Sequence, residues 1–211
     1  MTNKQHVLVA GANGTTGRHI INILKNSDNY KPVAMVRKEN QQANFEQDNV
    51  TTVLADLEQE LSHAVNNADK IIFAAGSKGK NLIGVDQEGA KKLMDAAQEA
   101  GVDKFVMLST MGADNPTISN ELEDYLRAKQ SADDHLRLSQ LDYSIIRPGA
   151  LTDNEGTGHI ELNQKLNKRG KTPRADVAKT LVAALDKNVL PKQIVEILSG
   201  DVAIDEAVQN I

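Results

Sequence analysis

Residues 7–24 read VLVAGANGTTGRHIINIL, and the order of residue types in this stretch decides the fold. Val7 to Ala10 form a short unbroken apolar run, the pattern of a strand buried on both faces of a parallel sheet. Gly11, Gly14 and Gly17 follow at three-residue spacing, and Ile20, Ile21 and Leu24 then recur at helical intervals. The stretch reads as strand, tight turn, helix. Glycines at these places let the chain turn sharply, let backbone approach a ligand, and let the helix pack close on the strand. The unpaired N–H groups at the helix start carry a partial charge of about +0.5, which suits a diphosphate. No Lys-Ser or Lys-Thr pair follows the last glycine, where Arg18 and His19 stand, so a Walker-type phosphate loop is excluded. The competing reading is a glycine-rich turn with no ligand.

The bulk of the chain narrows the function class. Its 211 residues are enough for one well-buried core and few for two, so a single domain over residues 1–211 is expected. Acidic residues outnumber basic ones, 29 to 24, and aromatics make up only 3%, which argues against nucleic acid or an anionic membrane as partner. With no cysteine there is no disulfide, thiolate metal site or cysteine nucleophile. The five histidines show no spacing suited to a metal. The first strand begins too early to leave room for a signal or transit peptide, and no apolar run approaches the ~18 residues of a membrane span. A cytoplasmic protein with a small-molecule substrate, monomeric or homodimeric, is the expectation.

Downstream of the glycine turn, Lys31 to Val36 reads as a second strand ending on Arg37 and Lys38. In dinucleotide folds this point touches the adenosine ribose, where an acid binds the 2′-hydroxyl of NAD and an arginine accepts the 2′-phosphate of NADP. Arg37 can grip a phosphate through two parallel hydrogen bonds and Lys38 adds a point charge, so NADP is favoured; Glu39 is the acid an NAD ribose would use. Val50 to Leu54 makes a third strand. Asp56 after it reads either as the N-cap of a short helix or as an adenine contact, made by its side chain or by the backbone of Leu57. Lys70 to Ala74 is a fourth strand opening into Ala75, Gly76 and Ser77, small enough for a cofactor to approach the backbone. A segment from Asn81 to Ala100 begins loosely and becomes helical. Lys104 to Leu108, the fifth strand, then delivers Ser109 and Thr110 to the carboxyl edge of the sheet, where ligands of open α/β sheets bind.

A helix expected over Glu121 to Leu138 carries Tyr125 and Lys129 on one face, with about 6 Å of rise between them. Taken alone, such a pair is a packing residue and its snorkelling neighbour. Asp133 and Asp134 read as a solvated face of the same helix. A sixth strand, Leu141 to Arg147, ends at Pro148 and Gly149. The polar stretch from Ala150 to Pro173 reads as a substrate-covering loop or hairpin, with His159 a candidate contact. Thr172 and Pro173 look like an N-cap and first-turn proline of a helix in which Asp176 partners the dipole. Gln193 to Leu198 is a seventh strand, and a short helix starts near Ile204. Alternating strands and helices imply an α/β fold, a doubly wound and mainly parallel sheet of about seven strands with helices on both faces.

GANGTTG at the front, AAG after strand four, ST after strand five, YLRAK, and RPG after strand six occur in an order that resembles the short-chain dehydrogenase/reductase superfamily. The glycine spacing and short C-terminal region look like its atypical branch, which includes NmrA-like and biliverdin reductase B-like proteins with a Rossmann fold. The resemblance implies a catalytic group of Thr110, with Ser109 as the alternative hydroxyl, Tyr125 and Lys129. It implies cofactor contacts from Gly11, Asn13, Gly14, Thr15, Thr16, Gly17, Arg37, Lys38, Asp56, Leu57, Ala75, Gly76, Lys129 and Pro148, and no metal. Members of that branch often lack the Tyr or the Lys, and some bind the cofactor without turning over a substrate.

A free phenol has a pKa of about 10, and lowering it to about 7.5 takes roughly 3.5 kcal/mol of support for the phenolate. An ammonium about 4 Å away supplies about 4 kcal/mol at an effective dielectric of 20, so Lys129 beside Tyr125 is expected to make it a usable proton donor and acceptor. The expected activity is an NADP-dependent oxidoreductase passing hydride to or from a small carbonyl or alcohol. The alternatives are an NADP-occupied redox sensor and an epimerase or dehydratase that keeps its nucleotide; the latter usually needs a larger C-terminal lobe.

Overall fold

The computed structural model describes residues 4–211. The chain runs β1 (Gln5–Ala10), α1 (Thr15–Lys25), β2 (Tyr30–Val36), α2 (Glu39–Gln47), β3 (Thr51–Leu54), α3 (Ser62–Val65) and β4 (Lys70–Phe73). After a π-helical turn at Leu82–Gly89 come α4 (Ala90–Glu99), β5 (Lys104–Leu108), α5 (Glu123–Leu138) and β6 (Tyr143–Pro148). The remainder holds β7 (Ala150–Thr152), β8 (His159–Asn163), β9 (Lys171–Pro173), α6 (Arg174–Ala183), β10 (Gln193–Ser199), β11 (Val202–Ala203) and α7 (Ile204–Ala207).

Nine strands form one sheet in the order β11-β8-β10-β6-β5-β4-β1-β2-β3. From β3 to β10 every neighbouring pair is parallel, and the order reverses direction at β1 and β4, the switch point where Rossmann folds take their ligand. Alternate residues of β1 feed opposite layers. Val7 and Val9 pack toward Ile20, Leu24 and Leu181, while Leu8 and Ala10 pack toward Leu93, Met94 and Leu136. That two-sided burial explains the unbroken apolar run.

The sheet exceeds the expected seven strands because β8, from the segment read as a substrate cover, and β11, near the C-terminus, extend it beyond β10. β8 lies antiparallel on β10, with Leu162 opposite Ile197, and β11 lies antiparallel on β8. Only Ile160 and Leu162 of β8 alternate as apolar positions, too few to mark an edge strand in the sequence. β7 and β9 form a separate parallel pair. Thr172 is not an N-cap: it lies in β9, buried, and its hydroxyl donates to the Ile197 carbonyl at 3.1 Å. The helix after β3 is confined to Ser62–Val65, and α5 starts at Glu123 rather than Glu121. No helix of the described residues is long and apolar enough to cross a membrane.

Candidate functional site

A cavity of about 1090 Å³ opens at the carboxyl ends of β1, β2, β4 and β5, floored by the glycine turn. Gly11 has φ +87°, and a Cβ there would stand 2.6 Å from the Ala75 backbone. A Cβ on Gly17 would stand 2.1 Å from the Gly11 carbonyl oxygen. Gly17 is therefore the packing glycine, buried and off the cavity wall, whereas the expectation had grouped it with the cofactor contacts. Gly14 differs: its Cβ position meets only the Gly11 oxygen at 3.2 Å, so backbone is bared toward the cavity. Gly11, Asn13, Gly14, Thr15 and Thr16 line the wall here, where the first-turn N–H groups of α1 lack helical partners. The donor set fits a diphosphate.

At the β2 end the wall includes Arg37 and Gln41, and the Arg37 N–H donates to Gln41 Oε1 at 3.1 Å. Lys38 caps α2 and stays off the wall, contrary to expectation, because successive residues leaving an extended strand point to opposite sides. Asp56 and Leu57 line the cavity, and Asp56 Oδ1 accepts from the Glu58 N–H at 3.1 Å, holding a turn rather than capping a helix. Ala75 and Gly76 line it as well, next to Asp86 on the π-helical turn.

The other end gathers Ser109, Tyr125, Lys129 and Asp86, all on the wall. Lys129 is 3% exposed, and its ammonium donates to the Leu108 carbonyl at 2.9 Å. Burial pulls its pKa down, opposed by the charges of Asp86 and Asp133. Burial pushes the Tyr125 phenol up to about 12, Asp86 adds to the rise, and a hydrogen bond with Thr110 offsets part of it. The expected depression toward 7.5 is thus reversed. The charges acting on the phenol are those of Asp86 and Asp133 rather than Lys129, whose Nζ is tied to the β5 backbone.

Of the two candidate hydroxyls, Thr110 lies off the wall, its Oγ1 3.5 Å from the Met111 carbonyl. Ser109 is on the wall, but its hydroxyl donates to Asp133 Oδ2 at 2.9 Å. Asp133 is not part of a solvated face: it is fully buried and accepts from Arg147 Nε at 2.9 Å and Nη2 at 2.8 Å. Burial raises its pKa against the pull of Arg147 and Ser109. Pro148, buried at the end of β6, accepts from the Met111 N–H and does not reach the wall.

From the 150–173 segment only Leu151 touches the cavity, joined by Arg174 at the start of α6. His159 is exposed and bonds back to Thr157, away from the cavity. Asp176 lies in the first turn of α6, as expected of a dipole partner, and it also ties the preceding loop by accepting from the N–H groups of Thr157 and Gly158 at 3.0 and 2.8 Å. Sequence reasoning missed Asp86 and Asp133. A lone acid in a helical stretch carries no signal of burial, and only the packing of two helices on the sheet takes these out of water. Among the described residues no group of three or more His, Cys, Asp or Glu side chains could hold a metal ion.

The family of NAD(P)H-binding proteins matches the chain over residues 11–188. An uncharacterized sugar epimerase of Bacillus subtilis, YhfK, is 39% identical over 97% of this chain and 99% of its own length. A solved structure described as an NAD-dependent epimerase/dehydratase from Bacillus halodurans superposes with a TM-score of 0.93 at 36% identity, covering 98% of this chain and 100% of that one. The oxidoreductase ylbE from Lactococcus lactis follows with a TM-score of 0.87 at 33% identity, covering 98% and 96%.

Proposed function

The chain belongs to the NAD(P)H-binding family, and from that premise we propose that it is an NADP-dependent reductase of a small carbonyl or conjugated compound. The observation that carries this reading is one cavity shared by the glycine turn, Arg37, Tyr125 and Lys129. Arg37 supports NADP over NAD by its place at the ribose end. A bound NADPH would supply the hydride. Tyr125 would then deliver its hydroxyl proton to the substrate oxygen as the C–H bond forms, and recover a proton from solvent afterwards. A phenol held near 12 serves as a donor, which favours reduction over alcohol oxidation. Lys129, with one ammonium proton spent on Leu108, has two left for ribose hydroxyls.

A second reading, a nucleotide-binding sensor without turnover, is favoured by one observation. Ser109 spends its only proton on Asp133, so Tyr125 alone remains to meet a substrate oxygen. NADPH oxidation against a panel of aldehydes, ketones and conjugated carbonyls separates the two. The enzyme reading expects turnover that falls by about 10²–10⁴ in Tyr125→Phe while NADPH binding is kept. Turnover unchanged in that variant overturns the role of Tyr125, and NADPH binding with no turnover on any compound favours the sensor.

A further inference from the structure

Arg18 has no place in the reading above; it lies behind the cavity wall, bonded to one of the wall residues. Its Nη2 donates to Asn13 Oδ1 at 2.6 Å, and Asn13 lines the cavity. Its guanidinium lies over the Phe45 ring, 4.8 Å from carbon to centroid. Phe45 sits on α2 four residues after Gln41, the residue that accepts from the Arg37 N–H, so the two share a helix face one turn apart. α2 therefore carries the supports of two arginines that come from different parts of the chain.

Neither guanidinium group meets a carboxylate among the described residues. Arg127, Arg137, Arg147 and Arg174 each meet a carboxylate, whereas among the described residues Arg18, Arg37 and Arg169 meet none, and Arg169 lies apart from the other two, in the loop between β8 and β9. Arg37 on the cavity wall and Arg18 bonded to the wall residue Asn13 put positive charge at this end that no carboxylate neutralises, in a chain of net charge −5, which suits an anion. The diphosphate is served by N–H groups at Gly14 to Thr16; the remaining anion at the ribose end is the 2′-phosphate.

We infer that Arg18 is the second arm of a clamp for the 2′-phosphate of NADP, opposite Arg37 and in the role that the sequence offered to Lys38. The inference rests on the NADP reading of the site. Stacking on Phe45 and the single bond to Asn13 hold the guanidinium plane while leaving four of its five N–H donors for phosphate oxygens. Arg18 acts on affinity and on the choice between nucleotides, with no part in the chemical step.

The test is titration of wild type, Arg37→Ala, Arg18→Gln and Arg18→Lys with NADPH and NADH by nicotinamide fluorescence, with melting temperatures as a check on folding. The expected result is a wild type that prefers NADPH, and an Arg18→Gln variant that loses about tenfold in NADPH affinity while NADH binding stays within about twofold. Arg18→Lys, which keeps the charge but not the fork, should fall between. Equal losses for both nucleotides would mean that Arg18 only braces the loop through Asn13, and overturns the inference. A wild type that prefers NADPH, with sensitivity to Arg37→Ala but indifference to Arg18→Gln, also overturns it while leaving the NADP reading intact. A wild type that binds both nucleotides alike overturns the NADP reading and this inference together.

Discussion

Arg147 on β6 meets Asp133 on α5 through two nitrogens, at 2.9 and 2.8 Å, with Asp133 wholly out of water. The pair begins a chain of alternating charge. Arg147 lies 3.8 Å from Asp114, which pairs with Lys165 at 2.7 Å, and Lys165 reaches the buried Glu196 at 2.9 Å. Glu196 is also the register partner of Arg147 on the neighbouring strand. Ser109, on the cavity wall, hangs from the Asp133 end. Removing one member of a buried pair strands the other charge, at a cost of about 3–5 kcal/mol. Asp133→Ala is expected near the low end of that range, since Asp114 still faces Arg147. Urea unfolding measures it, and the double variant Asp133→Leu with Arg147→Met should recover most of the loss.

Gly17 supplies a sharper test of the turn. Its Cβ position is 2.1 Å from the Gly11 oxygen and 2.8 Å from Ala12 Cα, both backbone, so nothing flexible can give way. Gly17→Ala should destabilise by about 1–3 kcal/mol, as overpacking does. By pushing α1 off the turn, it should also weaken both NADPH and NADH. A variant with the wild-type melting temperature would show that the turn is looser than this contact implies.

The phenol of Tyr125 predicts a pH window. Its folded-state pKa is raised from 10 to about 12, so the folded protein holds that proton more tightly than the unfolded chain. Stability from this group is fully present below pH 10 and lost as pH rises through about 12. Tyr125→Phe removes the dependence. Unfolding free energies of the two proteins should keep a constant gap up to about pH 10 and converge in favour of the variant above it, by on the order of 2–3 kcal/mol. Parallel curves through that window would mean that the phenol keeps an ordinary pKa in the folded protein.

What the sequence revealed divides along physical lines. Strands β1, β4 and β5 were legible because burial on both faces writes an apolar run, and the glycine turn because only glycine meets its contacts. β8 and β11 were not, since each carries too few apolar residues to show a period. That Tyr125 and Lys129 share a helix face followed from their spacing, but their electrostatics did not. Spacing says that two groups share a face; it does not say that the ammonium bonds to Leu108 or that Asp86 arrives from another element. Arg18 makes the same point, because its contacts with Asn13 and with Phe45 of α2 join parts of the chain that no spacing rule connects.

Lys129 gives the last prediction, with the opposite sign to Tyr125. Burial depresses its pKa below 10.5, so over the window between the folded and unfolded values the unfolded chain binds the extra proton. The stability associated with the neutral amine is present above 10.5 and lost as pH falls through the folded pKa. Lys129→Met has no such group, and its side chain suits the buried site next to Phe73. The free energy of wild type minus that of the variant should therefore rise with pH up to 10.5, whatever constant offset comes from leaving Asp86 without its cation. Urea unfolding at half-unit steps from pH 7.5 to 10.5 reads that slope directly. A gap that does not change with pH would mean that Lys129 keeps an ordinary pKa in the folded protein, and that water reaches it in a way its burial does not suggest.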